Sequence, residues 1–282
     1  MVAYKKTVLI TGCSDGGLGA GLAIAFHKAG LHVYATARNP NKMTELAAMG
    51  IETRTLDVLN DESIAACVKD IPSLDILVNN AGGGYFMPAS DLSIPEAKKL
   101  FDLNVWSYLA VTQAFLPLLI KSKGLLVNQT SISSVSTVPF TSAYSASKAA
   151  MATFSDGLRL ELAPFGIRVV ELKTGAVQSN FMPNLPEASV KLPQGSIYEP
   201  ARDNVETIMS GQQFLEDATP LDKWSSQVVH ELLKPTPPKS VWKGKDAWLV
   251  WLVGCIPFGP ALAEGLVKKR FGMDVIEQKV RK

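Results

Sequence analysis

Short apolar runs alternate with segments of helical periodicity over the first two thirds of the chain. The runs are rich in valine, isoleucine and leucine, which is typical of strands buried on both faces. They span 7–11, 32–37, 51–56, 75–78, 124–129 and 167–172. Apolar positions recur at helical spacing in 18–29, 41–49, 61–69, 95–121 and 143–163. This alternation predicts an α/β protein with a doubly wound parallel sheet, the Rossmann fold.

The pattern changes near residue 180, where Pro, Asn and Ser become frequent. Because residues 1–175 contain no linker-like stretch, we predict a single domain, with the dinucleotide-binding and catalytic core at residues 1–180. Residues 181–240 should form a substrate loop and lid helices of the same domain, with helices at 204–216 and 221–233. Residues 241–282 should form a C-terminal extension, first apolar and then basic, which completes a helical lid.

Composition and charge narrow the classes of function. The 282 residues are 47% hydrophobic and 19% charged, which supplies a large core and excludes global disorder. The net charge of +2 gives no reason to expect a nucleic-acid partner. Three scattered cysteines predict no disulfide framework, and three histidines without ligand spacing predict no metal site. The first residues run directly into a strand, so we expect no signal peptide.

A glycine-rich turn, TGCSDGGLG, links the first strand to the first helix. Glycines in this position let the backbone approach a pyrophosphate at the positively polarised helix N-terminus. The residues expected to hold a dinucleotide here are Gly12, Ser14, Gly17, Leu18 and Gly19. At the end of the second strand stands Arg38, with no carboxylate beside it. A guanidinium suits the 2′-phosphate of NADP(H), although an ordinary surface charge is the alternative.

Tyr144 and Lys148 lie four residues apart in a predicted helix, and Ser131 precedes the tyrosine by thirteen residues. Positions i and i+4 share one helical face. A free phenol titrates at about pH 10, and a fixed cation beside it favours the phenolate. Such a pair could exchange a proton with an alcohol or a ketone. For the spacing alone, a surface tyrosine and a solvated lysine are the alternative.

Two further motifs complete a recognisable set: Asn79-Asn80-Ala81-Gly82 after the fourth strand, and Asn104 in the long helix. With them, the chain resembles the classical short-chain dehydrogenase/reductases over residues 7 to about 180. The glycine loop is one residue longer than is usual in that family, and the usual Pro-Gly after the sixth strand is Thr174-Gly175. Neither difference removes a group that the family requires.

The resemblance implies a role for each motif. Tyr144 would donate a proton to a ketone, Lys148 would lower the pKa of Tyr144 and bind the nicotinamide ribose, and Ser131 would orient the carbonyl. Asn104 would organise a proton-relay water. The implied cofactor contacts after the second strand are Asp57, Val58, Asn80, Ala81, Gly82, Val177 and Ser179. Local alternatives exist: Ser131 and Asp57 could act only as caps, and Asn104 could bond within its helix.

The loop TGCSDGGLG, the stretch Tyr144–Ala149 and the stretches GLRLEL (157–162) and PFGIRV (164–169) are similar to those of a fungal subgroup, the NADPH-dependent 1-acyldihydroxyacetone-phosphate reductases. This implies an NADPH-dependent reductase of a bulky, apolar or acylated ketone, located in the cytoplasm or peripherally at the endoplasmic reticulum or lipid droplets. The expected pocket residues are Phe181, Met182, Leu185, Leu192, Tyr198 and Phe214. Two enzyme alternatives are a reductase of aromatic or polyketide ketones in secondary metabolism and an NAD(P)+-dependent alcohol dehydrogenase. A dinucleotide-sensing scaffold would be expected to lack one of Ser131, Tyr144 and Lys148.

Residues 247–262 read AWLVWLVGCIPFGPAL, an apolar run with cations on both sides. The run is shorter than the ~20 residues of a spanning helix, and two prolines interrupt it. One interpretation is peripheral contact with a lipid surface, with tryptophans and cations at the interface. The other is a lid or a subunit interface that buries the same residues in protein. We also expect a homo-oligomer.

Overall fold

The computed structural model describes residues 5–136, 138–186, 190–215, 217–257 and 259–281. These residues form one domain around a seven-stranded parallel sheet. The strands are β1 (Thr7–Thr11), β2 (His32–Ala37), β3 (Glu52–Thr55), β4 (Ile76–Asn79), β5 (Leu125–Gln129), β6 (Arg168–Thr174) and β7 (Ser240–Lys243). Their order is β3-β2-β1-β4-β5-β6-β7. The direction of winding reverses between β1 and β4, so the predicted doubly wound sheet is confirmed.

Helices cover both faces of the sheet and extend beyond its carboxyl edge. Those before β6 are α1 (Leu18–Lys28), α2 (Thr44–Ala48), α3 (Asp61–Asp70), α4 (Ile94–Phe101), α5 (Ser107–Ser122) and α6 (Ser142–Glu161). Those after β6 are α7 (Arg202–Met209), α8 (Gln212–Leu215), α9 (Leu221–Leu232), α10 (Ala247–Cys255), α11 (Gly259–Arg270) and α12 (Met273–Val280).

Alternation along each strand divides the core into two layers. Val8 and Ile10 of β1 point to one face, where they join a buried cluster with α1 and α9. Leu9 points to the other face and joins a cluster that includes Phe115 of α5. Both layers are predominantly apolar, as a parallel sheet requires. The polar carboxyl ends of the strands are therefore left as the edge at which a site can form.

The long helix predicted at 95–121 is continuous from Ile94 to Ser122, but its middle turn is wider than an α-helix. Residues Asp102–Trp106 form a π-helical turn between α4 and α5. Pro117 lies inside α5, which continues to Ser122. By length and hydropathy this helix could cross a membrane. Its buried residues, however, pack against the sheet, which identifies it as a core helix.

The C-terminal third differs from the expected division in two places. Residues 240–243 were expected at the boundary between the lid and the C-terminal extension, yet they form β7, which pairs with β6 in the core sheet. Helix α9 was expected in the lid, yet it packs against α1 with the Trp224 side chain fully buried. The predicted helix 204–216 is divided into α7 and α8, because Gly211 between them has a φ of +68°. The predicted end of that helix, residue 216, lies outside the described residues.

Candidate active site

The glycine loop folds tightly against the end of β4. Gly12 has a φ of +73°, and a Cβ there would lie 2.7 Å from the Cα of Ala81. A Cβ at Gly19 would lie 2.5 Å from the carbonyl oxygen of Gly12, so α1 approaches β1 as closely as backbone allows. Gly17, the residue before α1, provides no side-chain cap, and the first turn of α1 contains no acidic residue. The positive end of α1 is therefore suited to an anion such as a phosphate.

Thr11 and Asn80 hold the glycine loop in place. The Thr11 hydroxyl accepts hydrogen bonds from the backbone N–H groups of Asn80 and Ala81, both at 2.9 Å. The Asn80 side chain donates to the carbonyls of Thr11, at 2.8 Å, and Gly12, at 3.1 Å. Asn80 was predicted as a cofactor contact, and its amide also ties β1 to β4. Thr11 was not predicted to take part, although it directly precedes the first glycine.

The extended part of the loop exposes one polar side chain to the main cavity. Cys13 is fully buried. The Asp15 carboxylate accepts from the Thr44 hydroxyl and the Glu45 N–H at the start of α2, both at 3.3 Å. Ser14 alone of the three residues between Gly12 and Gly16 lines the cavity. Of Cys13, Ser14 and Asp15, Ser14 is therefore the residue placed to face a bound phosphate.

A cationic pair marks the end of the cavity beyond β2. Arg38 lines it as predicted, and Lys42, which sequence reasoning missed, lines it as well. Val58 lines the same region, whereas Asp57 is not among the lining residues. The Asp57 carboxylate instead accepts from the N–H of Leu59 at 3.1 Å, as a local turn cap. Asp57 does not cap α3, because the N-cap of that helix is Asn60, whose side chain accepts from the N–H of Ser63. The contact of Asp57 with the cofactor stays a prediction.

Tyr144 and Lys148 lie on the first turns of α6 and face the ends of β5 and β6. The Lys148 ammonium donates to the carbonyl of Gln129 at 3.0 Å. It lies 5.9 Å from the centre of the Tyr144 ring and 5.5 Å from that of Tyr108. Tyr108, which was not predicted, donates its hydroxyl proton to the same Gln129 carbonyl at 3.2 Å. The two aromatic rings thus hold the ammonium at the end of β5.

Burial controls the protonation of this pair. It raises the pKa of the Tyr144 phenol, and a hydrogen bond with the Ser131 side chain opposes that rise. It lowers the pKa of Lys148 from 10.5 to about 8. At neutral pH the phenol therefore keeps its proton and the ammonium keeps its charge. The effect of Lys148 on the pKa of Tyr144, implied by the family resemblance, stays a prediction.

Asn104 lies in the π-helical turn, and the wider turn directs its amide at the strand-4 loop. Its oxygen accepts from the Gly83 N–H at 2.9 Å, and its nitrogen donates to the Gly83 carbonyl at 3.0 Å. The same nitrogen donates to the Ser147 hydroxyl at 3.0 Å. A Cβ at Gly82 would lie 3.1 Å from the Asn104 oxygen and 3.5 Å from the Lys148 nitrogen. Asn104 therefore joins the glycine segment after β4 to the helix that carries Tyr144.

Val177 and Ser179 line the cavity after β6, where the chain turns back over the glycine loop. Asn180 fixes this turn: its N–H donates to the Gly16 carbonyl at 2.9 Å and its side chain to the Asp15 carbonyl at 3.1 Å. At Gly175, a Cβ would lie 2.0 Å from the carbonyl oxygen of Lys245, so the glycine of the Thr174-Gly175 pair is required. These contacts close the cavity on its β6 side.

A cavity of about 1770 Å³ joins these groups. Of the six expected pocket residues, four line it: Phe181, Met182, Leu185 and Phe214. Leu192 and Tyr198 do not: they belong to the same apolar cluster as Phe181, Met182 and Leu185 but lie behind the lining residues, where Tyr198 meets Phe140 edge-on. Sequence reasoning missed Phe86, whose ring packs edge-on against Tyr144 at 5.6 Å. Phe181 lies 6.0 Å from Tyr144, so the phenol has aromatic neighbours on the substrate side.

The far end of the cavity reaches the C-terminal helices. Leu249, Val253 and Leu266 are among its lining residues. Helix α10 is apolar on every side, yet Trp248 is 65% exposed and Trp251 is 49% exposed. One part of the segment thus lines the cavity, as in the lid interpretation. The part that carries Trp248 and Trp251 exposes an apolar surface of the kind that contacts a membrane or a partner protein.

Comparison with known proteins supports one family throughout. A family model described as short chain dehydrogenase matches residues 6–189. A short-chain dehydrogenase/reductase of Pestalotiopsis microspora is 52% identical over 282 residues, which cover 100% of this chain and 99% of that protein. An NADPH-dependent 1-acyldihydroxyacetone phosphate reductase of Schizosaccharomyces pombe is 37% identical over 261 residues, with 85% of this chain and 86% of that protein covered. The solved structure of a short-chain dehydrogenase from Streptomyces avermitilis has a TM-score of 0.77 at 28% identity, and the match covers 97% of this chain and 99% of that one.

Proposed function

Because the chain belongs to the short-chain dehydrogenase/reductase family of oxidoreductases, we propose that it reduces a bulky, apolar or acylated ketone with NADPH to give a secondary alcohol. One observation carries the proposal. Four side chains from three separate elements are brought together beside the glycine loop: Ser131 after β5, Tyr144 and Lys148 on α6, and Asn104 in the π-helical turn. A scaffold without catalysis would not need this convergence of an acid, a hydrogen-bond donor and a buried cation.

NADPH, when bound, would supply a hydride to the carbonyl carbon, so that negative charge develops on the substrate oxygen. The hydroxyls of Ser131 and Tyr144 would donate hydrogen bonds to that oxygen and stabilise the charge. Tyr144 would then transfer its phenolic proton to it, which completes the alcohol. A raised pKa keeps this proton in place at neutral pH, which supports the reductive direction. The Lys148 cation would stabilise the phenolate left behind.

The preference for NADP(H) is supported by the two cations beyond β2. Arg38 and Lys42 line the same end of the cavity, where a 2′-phosphate would carry its charge. A carboxylate that could bind a ribose 2′-hydroxyl is absent from the residues that directly follow β2, which read RNPNK. The relative from Schizosaccharomyces pombe is NADPH-dependent by name, which agrees with this choice.

Substitution of Tyr144 by Phe tests the proposal. The variant keeps the ring that packs against Phe86 and loses the phenolic hydroxyl that carries the transferable proton. We expect turnover to fall by at least about 10²-fold, since general acid catalysis contributes that much, while NADPH affinity changes little. Tyr34→Phe is a matched control, because Tyr34 is a buried tyrosine of β2 that does not line the cavity. Normal ketone reduction by the Tyr144→Phe variant would contradict the proposed mechanism.

The large cavity supports the size and polarity assigned to the ketone. Phe86, Phe181, Leu185 and Phe214 line it close to or beyond Tyr144. An NADPH-oxidation screen should compare acyl-dihydroxyacetone phosphate with aromatic, polyketide and short-chain ketones. We expect rates to rise with apolar bulk. A preference for short, polar ketones would contradict this assignment, and activity on aromatic or polyketide ketones alone would place the protein in secondary metabolism.

We further propose that α10 and α11 contact an anionic lipid surface. The exposed large apolar residues in this part of the chain are Trp248, Leu249, Trp251 and Leu252 on α10, Ile256 directly after α10, and Leu266 on α11. Residues 243–270 carry five cations and two carboxylates, so charge favours anionic headgroups. With nine residues, α10 is too short to span a bilayer but suits insertion at its interface. The cavity would then open beside the lipid that supplies an apolar substrate.

Sedimentation with phosphatidylserine-containing vesicles tests this contact. The variant Trp251→Gln/Leu252→Gln should lose vesicle binding but keep its fold. The variant Leu160→Gln/Phe165→Gln is a matched control, since both side chains are exposed near the end of α6. Equal sedimentation of all three proteins would contradict lipid contact. A dimer that the first variant abolishes, with no vesicle binding by the wild type, would assign the surface to a second copy of the chain.

A further inference from the structure

A buried ion pair lies beneath the loop that carries Ser131. Glu171 and Lys173 occupy alternate positions of β6 and therefore point to the same face of the sheet. Glu171 is 2% exposed and Lys173 is 7% exposed. The Lys173 nitrogen lies 2.6 Å from the Glu171 oxygen Oε1 and 5.3 Å from the centre of the Trp242 ring on β7. Neither charged residue is among those that line the cavity.

Hydrogen bonds connect this pair to both sides of Ser131. On the N-terminal side, the Thr130 hydroxyl donates to the Glu171 carboxylate at 2.8 Å. On the C-terminal side, the Lys173 ammonium donates to the Ser134 hydroxyl at 3.1 Å. The Ser134 hydroxyl in turn donates to the backbone carbonyl of Ser131 at 2.7 Å. The residue before Ser131 and the turn after it are thus both held by one ion pair.

Burial of two charges is costly, and an apolar pair of similar size is often as stable. An ion pair in this position is better explained by geometry than by stability. β5 ends at Gln129, and Ser131 follows it two residues later, directly after Thr130. The Ser131 side chain accepts a hydrogen bond from the N–H of Ser133 at 3.1 Å. Its hydroxyl can aim at a substrate oxygen only if the backbone carbonyl and the following turn are fixed.

We propose that Glu171, Lys173 and Ser134 are positioning residues that aim the Ser131 hydroxyl at the substrate oxygen. The proposal rests on the function proposed above, because Ser131 must act in the reaction for its position to matter. The Lys173 charge polarises the Ser134 hydroxyl, which strengthens its hydrogen bond to the Ser131 carbonyl. Catalytic groups need placement within about 0.5 Å, so the loss of this support should affect turnover more than binding.

A double-mutant cycle between Ser134 and Ser131 separates positioning from general stability. In the wild-type background, Ser134→Ala should lower kcat about tenfold and change KM and the NADPH Kd by less than about twofold. The reason is that a small misplacement of the Ser131 hydroxyl weakens its contact with the transition state more than it weakens binding. In a Ser131→Ala background, the same substitution should change kcat by less than about twofold, because the group that it positions is already gone.

Ser225→Ala is the matched control. Ser225 is buried on α9, and its hydroxyl donates to the backbone carbonyl three residues earlier, as the hydroxyl of Ser134 does. The control should leave kcat unchanged. A second variant, Glu171→Gln/Lys173→Met, removes both charges without stranding either and should reproduce the loss of kcat with NADPH affinity retained.

Two results would overturn the positioning role. One is a Ser134→Ala variant with the wild-type kcat. The other is an equal fold-loss of kcat in the wild-type and Ser131→Ala backgrounds, which would indicate an effect unrelated to Ser131. Failure of the proposed function itself would be seen separately, as normal turnover by the Tyr144→Phe variant.

Discussion

The buried ammonium of Lys148 should make the cofactor-free protein more stable at alkaline than at neutral pH. Burial lowers the pKa of this lysine from 10.5 to about 8, even though the nitrogen donates to the Gln129 carbonyl at 3.0 Å. Between those two pKa values the unfolded chain binds the proton and the folded chain does not. Between these pKa values, protonation of Lys148 therefore favours the unfolded chain. The free energy of unfolding is lowered by the full amount below about pH 8 and rises again as the pH increases toward 10.5.

The substitution Lys148→Met removes this titration and isolates its contribution. The slope is about 1.4 kcal/mol per pH unit where only the unfolded state is protonated. Between about pH 7.5 and 9.5, the wild-type free energy of unfolding should therefore rise by about 2 kcal/mol relative to that of the variant. Urea unfolding of the cofactor-free proteins, followed by tryptophan fluorescence at several pH values, measures this difference.

Lys223→Met is the control for this experiment, because it removes an exposed lysine from α9. It corrects for the effect that the loss of any one lysine charge has on the free energy of unfolding. A difference between wild type and Lys148→Met that stays constant over this pH range would refute the reasoning. So would a fall in the wild-type free energy of unfolding relative to that of Lys148→Met as the pH rises, since that sign would require a raised pKa of Lys148 in the folded protein.

Three further substitutions probe the cofactor end and the core. Arg38→Leu should weaken NADPH binding about tenfold or more and NADH binding much less, because it removes a charge-assisted contact with the 2′-phosphate. Fluorescence titrations would measure both affinities, and an equal loss of affinity for NADPH and NADH would contradict this role of Arg38. Gly12→Ala should lower NADPH affinity and stability, since its Cβ would lie 2.7 Å from the Cα of Ala81 and its φ of +73° is unfavourable for alanine. Trp224→Ala should cost about 3–5 kcal/mol in urea unfolding, because its side chain is fully buried; a loss below about 1 kcal/mol would contradict the packing described for α9.

The sequence predicted the sheet well where local patterns are strong. β1 and its glycine turn stand out because a β-branched run and closely spaced glycines are both local signals. The π-helical turn at Asn104 could not be predicted, since its sequence DLNVW fits ordinary helical periodicity. β7 was missed because four residues, SVWK, carry too little alternation to be distinguished from a loop.

The candidate site was predicted where a motif has fixed spacing and missed where contacts depend on long-range packing. Tyr144 and Lys148 are one helical turn apart, so their proximity follows from the helix. Phe86 packs on Tyr144 from a loop that carries no motif, and only the folded chain brings them together. Leu192 and Tyr198 were assigned to the pocket from composition, which cannot tell a lining residue from one buried behind it.

Transfer of deuterium from NADPH tests the central claim most directly. The protein would be incubated with NADPH that is deuterated at the transferable C4 position and with an apolar ketone that is turned over in the screen. The product alcohol would then be analysed by mass spectrometry. The account predicts one deuterium at the carbinol carbon for the wild type and, over the same time, at least about 10²-fold less labelled alcohol for Tyr144→Phe. NADPH oxidation without a labelled alcohol, or equal labelling by both proteins, would contradict it.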